Sequence, residues 1–388
     1  MHQFLFIDFY QKAFTESDSS IYYWEPLTLL MYFFVFLLII IMGWLIESHK
    51  KEEYVPLEKI FLLFCLAFTV LVFISGLRGP EVGTDTPTYR DSFANALITD
   101  AFSDETTEPG YQFALKVCRF LFPSADLFVF IVSSVTVFFI LYTFWTYGDY
   151  IDLMVAFTFY VGMYYFQGMS LMRIYMTSAF LLWNFHYLIE QKYLHYSVGV
   201  LAASLFHYSS LVLFMPLGFL LLFKKYPLYS VLAFVIASVL TVPLASHFSD
   251  YIAIARYADY GDSNEVSNGI GFMLFFDYLP CFFFIYYAYR EGLQGQWRDL
   301  LVAYTLVGFF VRLIAYYITI AGRLGIHFSP LYLLVIPYFL NHLKFNYQRY
   351  YPVLACFLLL YAFLRLHLYF SEYLAKDGLM PYSFIWSN

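Results

Sequence analysis

The stretch LTLLMYFFVFLLIIIMGWLI at residues 27–46 holds twenty consecutive residues without a charged side chain. A helix rises about 1.5 Å per residue, so about 20 apolar residues cross a hydrocarbon layer roughly 30 Å thick. Comparable runs recur near 59–77, 126–146, 151–168, 170–189, 228–247, 270–289, 299–319, 324–341 and 352–370. They are continuous, whereas a transmembrane β-barrel alternates apolar and polar residues. The sequence therefore predicts one all-α polytopic membrane domain over residues 1–388, a bundle of about 10–12 segments.

Composition points the same way. The 388 residues are 62% hydrophobic, 24% aromatic and 13% charged, about half the charge of an ordinary soluble domain. That balance excludes a soluble cytoplasmic enzyme and a disordered chain. The net charge of −7 excludes the basic stripe of a nucleic-acid binder. The segment 196–223 is long for one span and short for two, with His207-Tyr208-Ser209-Ser210 at its centre and Pro216 beyond. It reads as paired half-helices of the broken or re-entrant kind, which are tolerated at membrane depth where they line a polar cavity.

Orientation follows from Lys and Arg. One set of short connections holds ten of the 21 basic residues, including Lys50, Lys192, Lys224, Arg298 and Lys344, with nine acidic residues. The opposite set holds nine basic and eighteen acidic residues. The first set is expected to be cytoplasmic. The two sets alternate only if 196–223 enters and leaves on the same side, which puts both termini outside. No basic n-region precedes Trp24, so no cleavable signal peptide is expected. Four scattered cysteines make no disulfide framework, and no spacing suggests a metal or a nucleotide-phosphate loop.

Two outer loops are long, 78–125 and 248–269. The first opens Leu77-Arg78-Gly79-Pro80-Glu81-Val82-Gly83-Thr84-Asp85-Thr86-Pro87-Thr88-Tyr89. Asp85 can cap a short helix begun at Pro87; equally, Arg78 at the membrane mouth, Asp85 and Tyr89 can form a site. Ser170, Arg173, Thr177 and Asn184 share one helical stripe. Arg173 can snorkel to the interface, but a continuing stripe argues for a water-filled or headgroup-filled groove, because lipid-facing polar groups are costly. His207 stands at the apex of the broken segment, and Arg323 and His327 share a face. Asp277, Arg312 and Arg365 lie within spans, and pairing of Asp277 with either arginine is the structural alternative to a functional role. All these charges fall in the outer half of the membrane, which suits an anionic lipid headgroup such as a pyrophosphate. Tyr111, Tyr251, Tyr257 and Tyr260 beside acidic outer loops suit sugar stacking, or an interfacial aromatic belt.

Arg78, Val82-Gly83-Thr84-Asp85 and Tyr89, then Glu108-Pro109-Gly110-Tyr111, Arg173 and Phe206-His207-Tyr208-Ser209-Ser210-Leu211 together resemble the EpsG/Wzy family of bacterial polysaccharide polymerases. The matches run in order over about residues 70–215, with Ile174 where the family usually has Gln. The resemblance implies a multi-pass protein of the bacterial plasma (inner) membrane with its site facing the periplasm or exterior. It implies polymerisation of undecaprenyl-pyrophosphate-linked oligosaccharide repeat units into O-antigen, capsule or exopolysaccharide, without metal or cofactor, beside membrane lipid and a separate chain-length regulator protein. Pyrophosphate binding then falls to Arg78, Arg173 and Arg323. The catalytic candidates are Arg173 with Asp85 or His207 as base, and the glycan-binding ones are Tyr89, Glu108 and Tyr111. An O-antigen-type ligase would share the donor and the pocket. A lipid-linked oligosaccharide flippase or transporter would carry charges through both leaflets.

Overall fold

The computed structural model describes residues 25–50, 56–96, 108–122, 124–252, 272–315 and 319–387, the side chains of 241–252, 272–273 and 319–321 excepted. Among the described residues the chain is nearly all helix, and the β pairing is one isolated bridge between Arg78 and Phe384. Six helices are long and apolar enough to cross a membrane: Pro26–His49, Leu57–Gly76, Ala125–Tyr147, Tyr208–Lys225, Gly322–Asn346 and Tyr351–Glu372. Helices such as Leu153–Tyr160, Met172–Asn184, Phe272–Arg290 and Gln296–Ala315 complete the bundle.

The sequence explains the shape of each helix. Pro26–His49 is apolar all round, so it buries Tyr32, Phe36, Ile39, Met42 and Ile46 while Leu30, Phe34, Leu37 and Ile41 stay exposed. Pro26 starts it without an N–H to satisfy. Asp152 caps the next inward turn by accepting from Val155 N at 3.1 Å, and Ser124 caps Ala125–Tyr147 through Leu127 N. The runs 151–168 and 170–189 form a hairpin that turns at the single residue Leu171, whose ψ of 56° leaves the helical region.

The two ends of the bundle separate the charges as the Lys and Arg count predicts. At one end Glu47 takes Lys344 and Lys50 (3.1 Å to the latter), and accepts from Leu153 N at 3.0 Å. Tyr351 OH donates to Asp152 there, and Lys224 Nζ donates to Gln191 and Tyr193. At the other end lie Thr28, Ile74, the loop 78–86, Glu108, Arg173, His207 and the C-terminal residues 373–387.

The segment 196–223 consists of two helical arms, Tyr193–Ser204 and Phe214–Lys225, joined by the 3-10 turn Tyr208–Leu213. The contact of Lys224 with Tyr193 brings both arms back to one end, and the apex Leu205–Tyr208 meets Glu108 at the other.

Three expectations change. The loop 78–125 contains two helices, Thr86–Asn95 and Pro109–Leu121, because Tyr89, Phe93, Tyr111 and Leu115 pack with Phe128, Val129, Val132 and Met172 in a small core of their own. The stripe on Met172–Asn184 lines no water-filled groove below Arg173. Thr177 donates back to Arg173 O and Ile174 O, and Asn184 donates to Tyr196 O. Asp277 pairs with both in-span arginines, Arg365 and, at 3.6 Å, Arg312, where the sequence offered pairing with either one as the alternative to a functional role. Most of the expected second loop lies in 253–271, outside the described residues.

Asn184 reaches Tyr196 only because residue 199 is glycine: a Cβ there would sit 2.1 Å from Asn184 Oδ1. Gly199→Ala is expected to cost about 1–3 kcal/mol, the penalty of overpacking a close contact. Its Tm falls, and adding Asn184→Ala gives a loss smaller than the sum of the two single changes.

Candidate functional site

The loop 78–86 is built around Arg78, whose side chain is 1% exposed. Its Nε donates to Val82 O at 3.1 Å, and its terminal nitrogens donate to Ser75 O, Ser133 Oγ and Thr86 Oγ1. Burial pulls the guanidinium down to about 10, so it stays charged at neutral pH. Every donor direction is turned inward. Arg78 therefore organises the loop, and the expectation that it faces a pyrophosphate is corrected: carbonyls and hydroxyls of its own fold take the place of the anion.

The C-terminal segment clamps this loop from outside. Gly79 N donates to Ser383 O at 2.7 Å, Gly83 N to Gly378 O at 2.8 Å and Thr84 N to Asp377 O at 3.0 Å. Gly79 has no room for a side chain, since a Cβ would meet Ser383 Oγ at 2.1 Å. Gly83 has a φ of +96° and presses on Met169 O, a conformation that favours glycine. Asp85 occupies the N-cap position of Thr86–Asn95 without capping it; its carboxylate accepts from Tyr89 OH at 3.2 Å. Thr84 and Ser170 join through their hydroxyls at 2.6 Å, which sets the loop on the hairpin turn just before Arg173.

The residues Glu108-Pro109-Gly110-Tyr111 have one role each. Pro109 begins the helix Pro109–Leu121. Gly110 lies against the half-helix apex, where its N–H donates to Leu205 O at 2.8 Å and a Cβ would meet the same carbonyl at 2.8 Å. Glu108 Oε1 accepts from Tyr208 N at 3.3 Å, and Oε2 pairs with Arg173 NH1 at 2.8 Å. Tyr111 supports Arg173, whose Cζ lies 4.8 Å above its ring and 5.8 Å from the ring of Tyr89.

Both tyrosines are buried beneath that cation, and burial holds both phenols above their ordinary value. Arg173 covers one face of each ring, and both tyrosines also line the cavity beside it. They form a cation–π platform. Glu108 is 6% exposed and committed to Arg173 and Tyr208, which makes it a tie rather than a sugar ligand. Tyr257 and Tyr260 fall outside the described residues.

Arg173 is left half-engaged. Glu108 takes NH1 and the Tyr89 side chain also hydrogen-bonds the guanidinium, while the buried Nε has no hydrogen-bond partner. Beside it lies a cavity of about 110 Å³ whose other walls are apolar, among them Ala114, Cys118, Ile131, Val135, Met176 and Phe206. A buried cationic N–H without an acceptor costs more than an ordinary unmade hydrogen bond. An anion with an apolar tail satisfies both features.

His207, Arg323 and Asp377 complete the group. His207 caps the turn Tyr208–Leu213 through Ser209 N, and Ser209 Oγ lies 2.7 Å from both His207 Nδ1 and His327 Nε2. The charges of Glu108, Arg173 and Arg323 act on His207, and that of Arg323 acts also on Asp377. Asp377 accepts from Tyr369 OH at 2.6 Å. Burial first, and then Asp85, raise its carboxyl above the ordinary 3.8. The structure thus brings together Asp85, Tyr89, Glu108, Tyr111, Arg173, His207 and Arg323. It adds Ser209, His327 and Asp377, for which the sequence held no spacing signal beyond the Arg323–His327 pair. Two arginines stand among three carboxylates, so the site is not the cationic pocket that was expected. Among the described residues no three His, Cys, Asp or Glu side chains form a metal cluster.

A family model, that of the EpsG family, matches residues 61–384. No curated protein matches the chain, and no solved structure does.

Two stability predictions follow from this geometry. Glu108→Ala leaves Arg173 without its counter-ion and should cost roughly 1–3 kcal/mol, with Glu108→Gln losing less because the amide oxygen still accepts; thermal unfolding of the purified variants reads the difference. For Asp377 the raised value disfavours the charged form in the fold. Its contribution is therefore harmless below pH 3.8 and becomes destabilising as pH rises through the raised value. Asp377→Asn keeps an acceptor for Tyr369 and should raise Tm at pH 7, with the advantage disappearing in acid.

Proposed function

This chain belongs to the EpsG family, and from that premise we propose that it polymerises undecaprenyl-pyrophosphate-linked oligosaccharide repeat units at the outer face of the bacterial plasma membrane. Family membership suggests a polymerase of polysaccharide biosynthesis, and the multi-pass helical bundle suits a substrate carried on lipid.

The observation that carries the reading is the unpartnered Nε–H of Arg173 beside an apolar cavity. The Nε side of the guanidinium matches two oxygens of a phosphate in a bidentate contact, while Glu108 keeps NH1 and holds the plane. The isoprenoid chain would lie against the apolar wall formed by Ala114, Ile131, Val135 and Met176. Arg323, whose charge reaches His207 and Asp377, would supply a second cation.

In the reaction the acceptor hydroxyl attacks the anomeric carbon of the growing chain. The bond from that carbon to the pyrophosphate oxygen breaks, and the electron pair leaves with undecaprenyl pyrophosphate. Negative charge grows on the leaving oxygens, where positioned cations lower the barrier most. The pyrophosphate bond supplies the driving force. The acceptor proton goes to Asp85 or His207, and the Tyr89 hydroxyl donates to the Asp85 carboxylate.

Arg173→Ala should reduce long-chain glycan by about 100-fold or more, as loss of one positioned charge does elsewhere, at an unchanged level of membrane protein. Single repeat units should still reach the surface. Normal chain lengths would contradict the assignment, loss of all units would favour a flippase, and transfer of single units alone to another acceptor would favour a ligase.

A further inference from the structure

The nitrogen of His207 that faces Ser209 is met twice. Ser209 N–H donates to Nδ1 at 3.3 Å, and Ser209 Oγ lies 2.7 Å from the same atom. An amide N–H can only donate, so Nδ1 carries a lone pair and the imidazole proton resides on Nε2. Ser209 Oγ is also 2.7 Å from His327 Nε2. With its single proton aimed at His207, the hydroxyl accepts from His327 Nε2–H.

The far end of the chain agrees. His327 Nδ1 is buried with no hydrogen-bond partner, and in this arrangement it is a bare lone pair. The reverse arrangement would put an N–H there without an acceptor, and a second proton on His207 Nδ1 against the Ser209 amide. Orphaned buried N–H groups are rare and costly.

We infer that Ser209 and His327 hold His207 as its Nε2–H tautomer, so that His207 acts as a hydrogen-bond donor to an oxygen of the lipid pyrophosphate and not as the base. The inference rests on the glycosyl-transfer reading of the site. His207 sits among Glu108, Arg173 and Arg323, and a neutral donor there adds to Arg173 without changing the charge of the cluster. The proton balance follows. The acceptor hydroxyl gives its proton to Asp85 as its oxygen bonds the anomeric carbon, the pyrophosphate departs with the electron pair, and His207 keeps its proton throughout. Ser209 and His327 are positioning residues.

A glutamine at 207 places an amide N–H close to the position of the imidazole Nε2–H and cannot serve as a base. His207→Ala should lower polymer about 100-fold, the usual loss of one positioned donor, and His207→Gln should recover most of it. A glutamine variant as inactive as the alanine variant would overturn the donor role. Independently of activity, ¹⁵N-histidine NMR of the full-length protein in bilayers at neutral pH reads which nitrogen carries the proton, with the His207 signal identified by its absence in His207→Gln. The Nε2–H form is expected; an Nδ1–H form or an imidazolium would overturn the inference. Ser209→Ala should mix the two tautomers, and an unchanged signal would remove Ser209 from its positioning role. Because this reading needs no substrate, a chain with the expected tautomer that makes no polymer would sink the function and leave the tautomer standing.

Discussion

The ion pair between Glu108 and Arg173 holds one end of the molecule together. Glu108 stands at the start of the helix Pro109–Leu121, Arg173 at the start of the hairpin's second arm, and the second carboxylate oxygen reaches Tyr208 at the apex of the broken segment. Three elements distant in sequence therefore meet at one carboxylate. The pair is only partly screened by solvent, with the glutamate side chain 8% and the arginine 28% exposed. In such a place a charge without its partner is costly, so the loop, the hairpin and the apex are tied to one another. The same pair holds Arg173 beside the apolar cavity.

Around that tie, the fold uses backbone irregularity where the site needs it. The chain breaks between Tyr193–Ser204 and Phe214–Lys225, so their junction can offer the amides of Tyr208 and Ser209 and the carbonyl of Leu205 to side-chain and loop partners. Non-helical backbone in a membrane bundle is stable only with such partners. The C-terminal segment does the same for the loop 78–86 through Asp377, Gly378 and Ser383. Arg78 fills the inside of that loop, where it balances carbonyls rather than a ligand.

How much of this was legible in the sequence depended on the range of the signal. Apolar runs announced the helices because length and hydropathy are local properties. The break at His207 was visible from a polar cluster in a run of unsuitable length, and the separation of Lys-rich from acidic connections matches the two ends of the bundle. Asp85, Arg173, His207 and Arg323 stand out by type and placement and Glu108 by the family resemblance, and the structure brings these five together. Their partners were not legible. Arg78 and Arg173 look alike in sequence, and only tertiary contacts show that one is spent on carbonyls and the other keeps a donor free. Asp377 joins the site through the pairing of two loops from opposite ends of the chain, and the Ser209–His327 contact spans 118 residues. The stripe through Thr177 and Asn184 followed the correct helical period. Its polar groups turned out to bond to their own and a neighbouring helix, a distinction that periodicity does not encode.

What Arg173 binds with the side that Glu108 leaves open decides whether this end of the bundle holds a lipid pyrophosphate. A structure of the protein in a lipid bilayer with undecaprenyl pyrophosphate bound addresses this directly. Phosphate oxygens are expected within hydrogen-bond reach of Arg173 Nε, with the first isoprene units against Met176 and Val135 and the Glu108 contact intact. Pyrophosphate held elsewhere, with Arg173 Nε still unengaged, would contradict it.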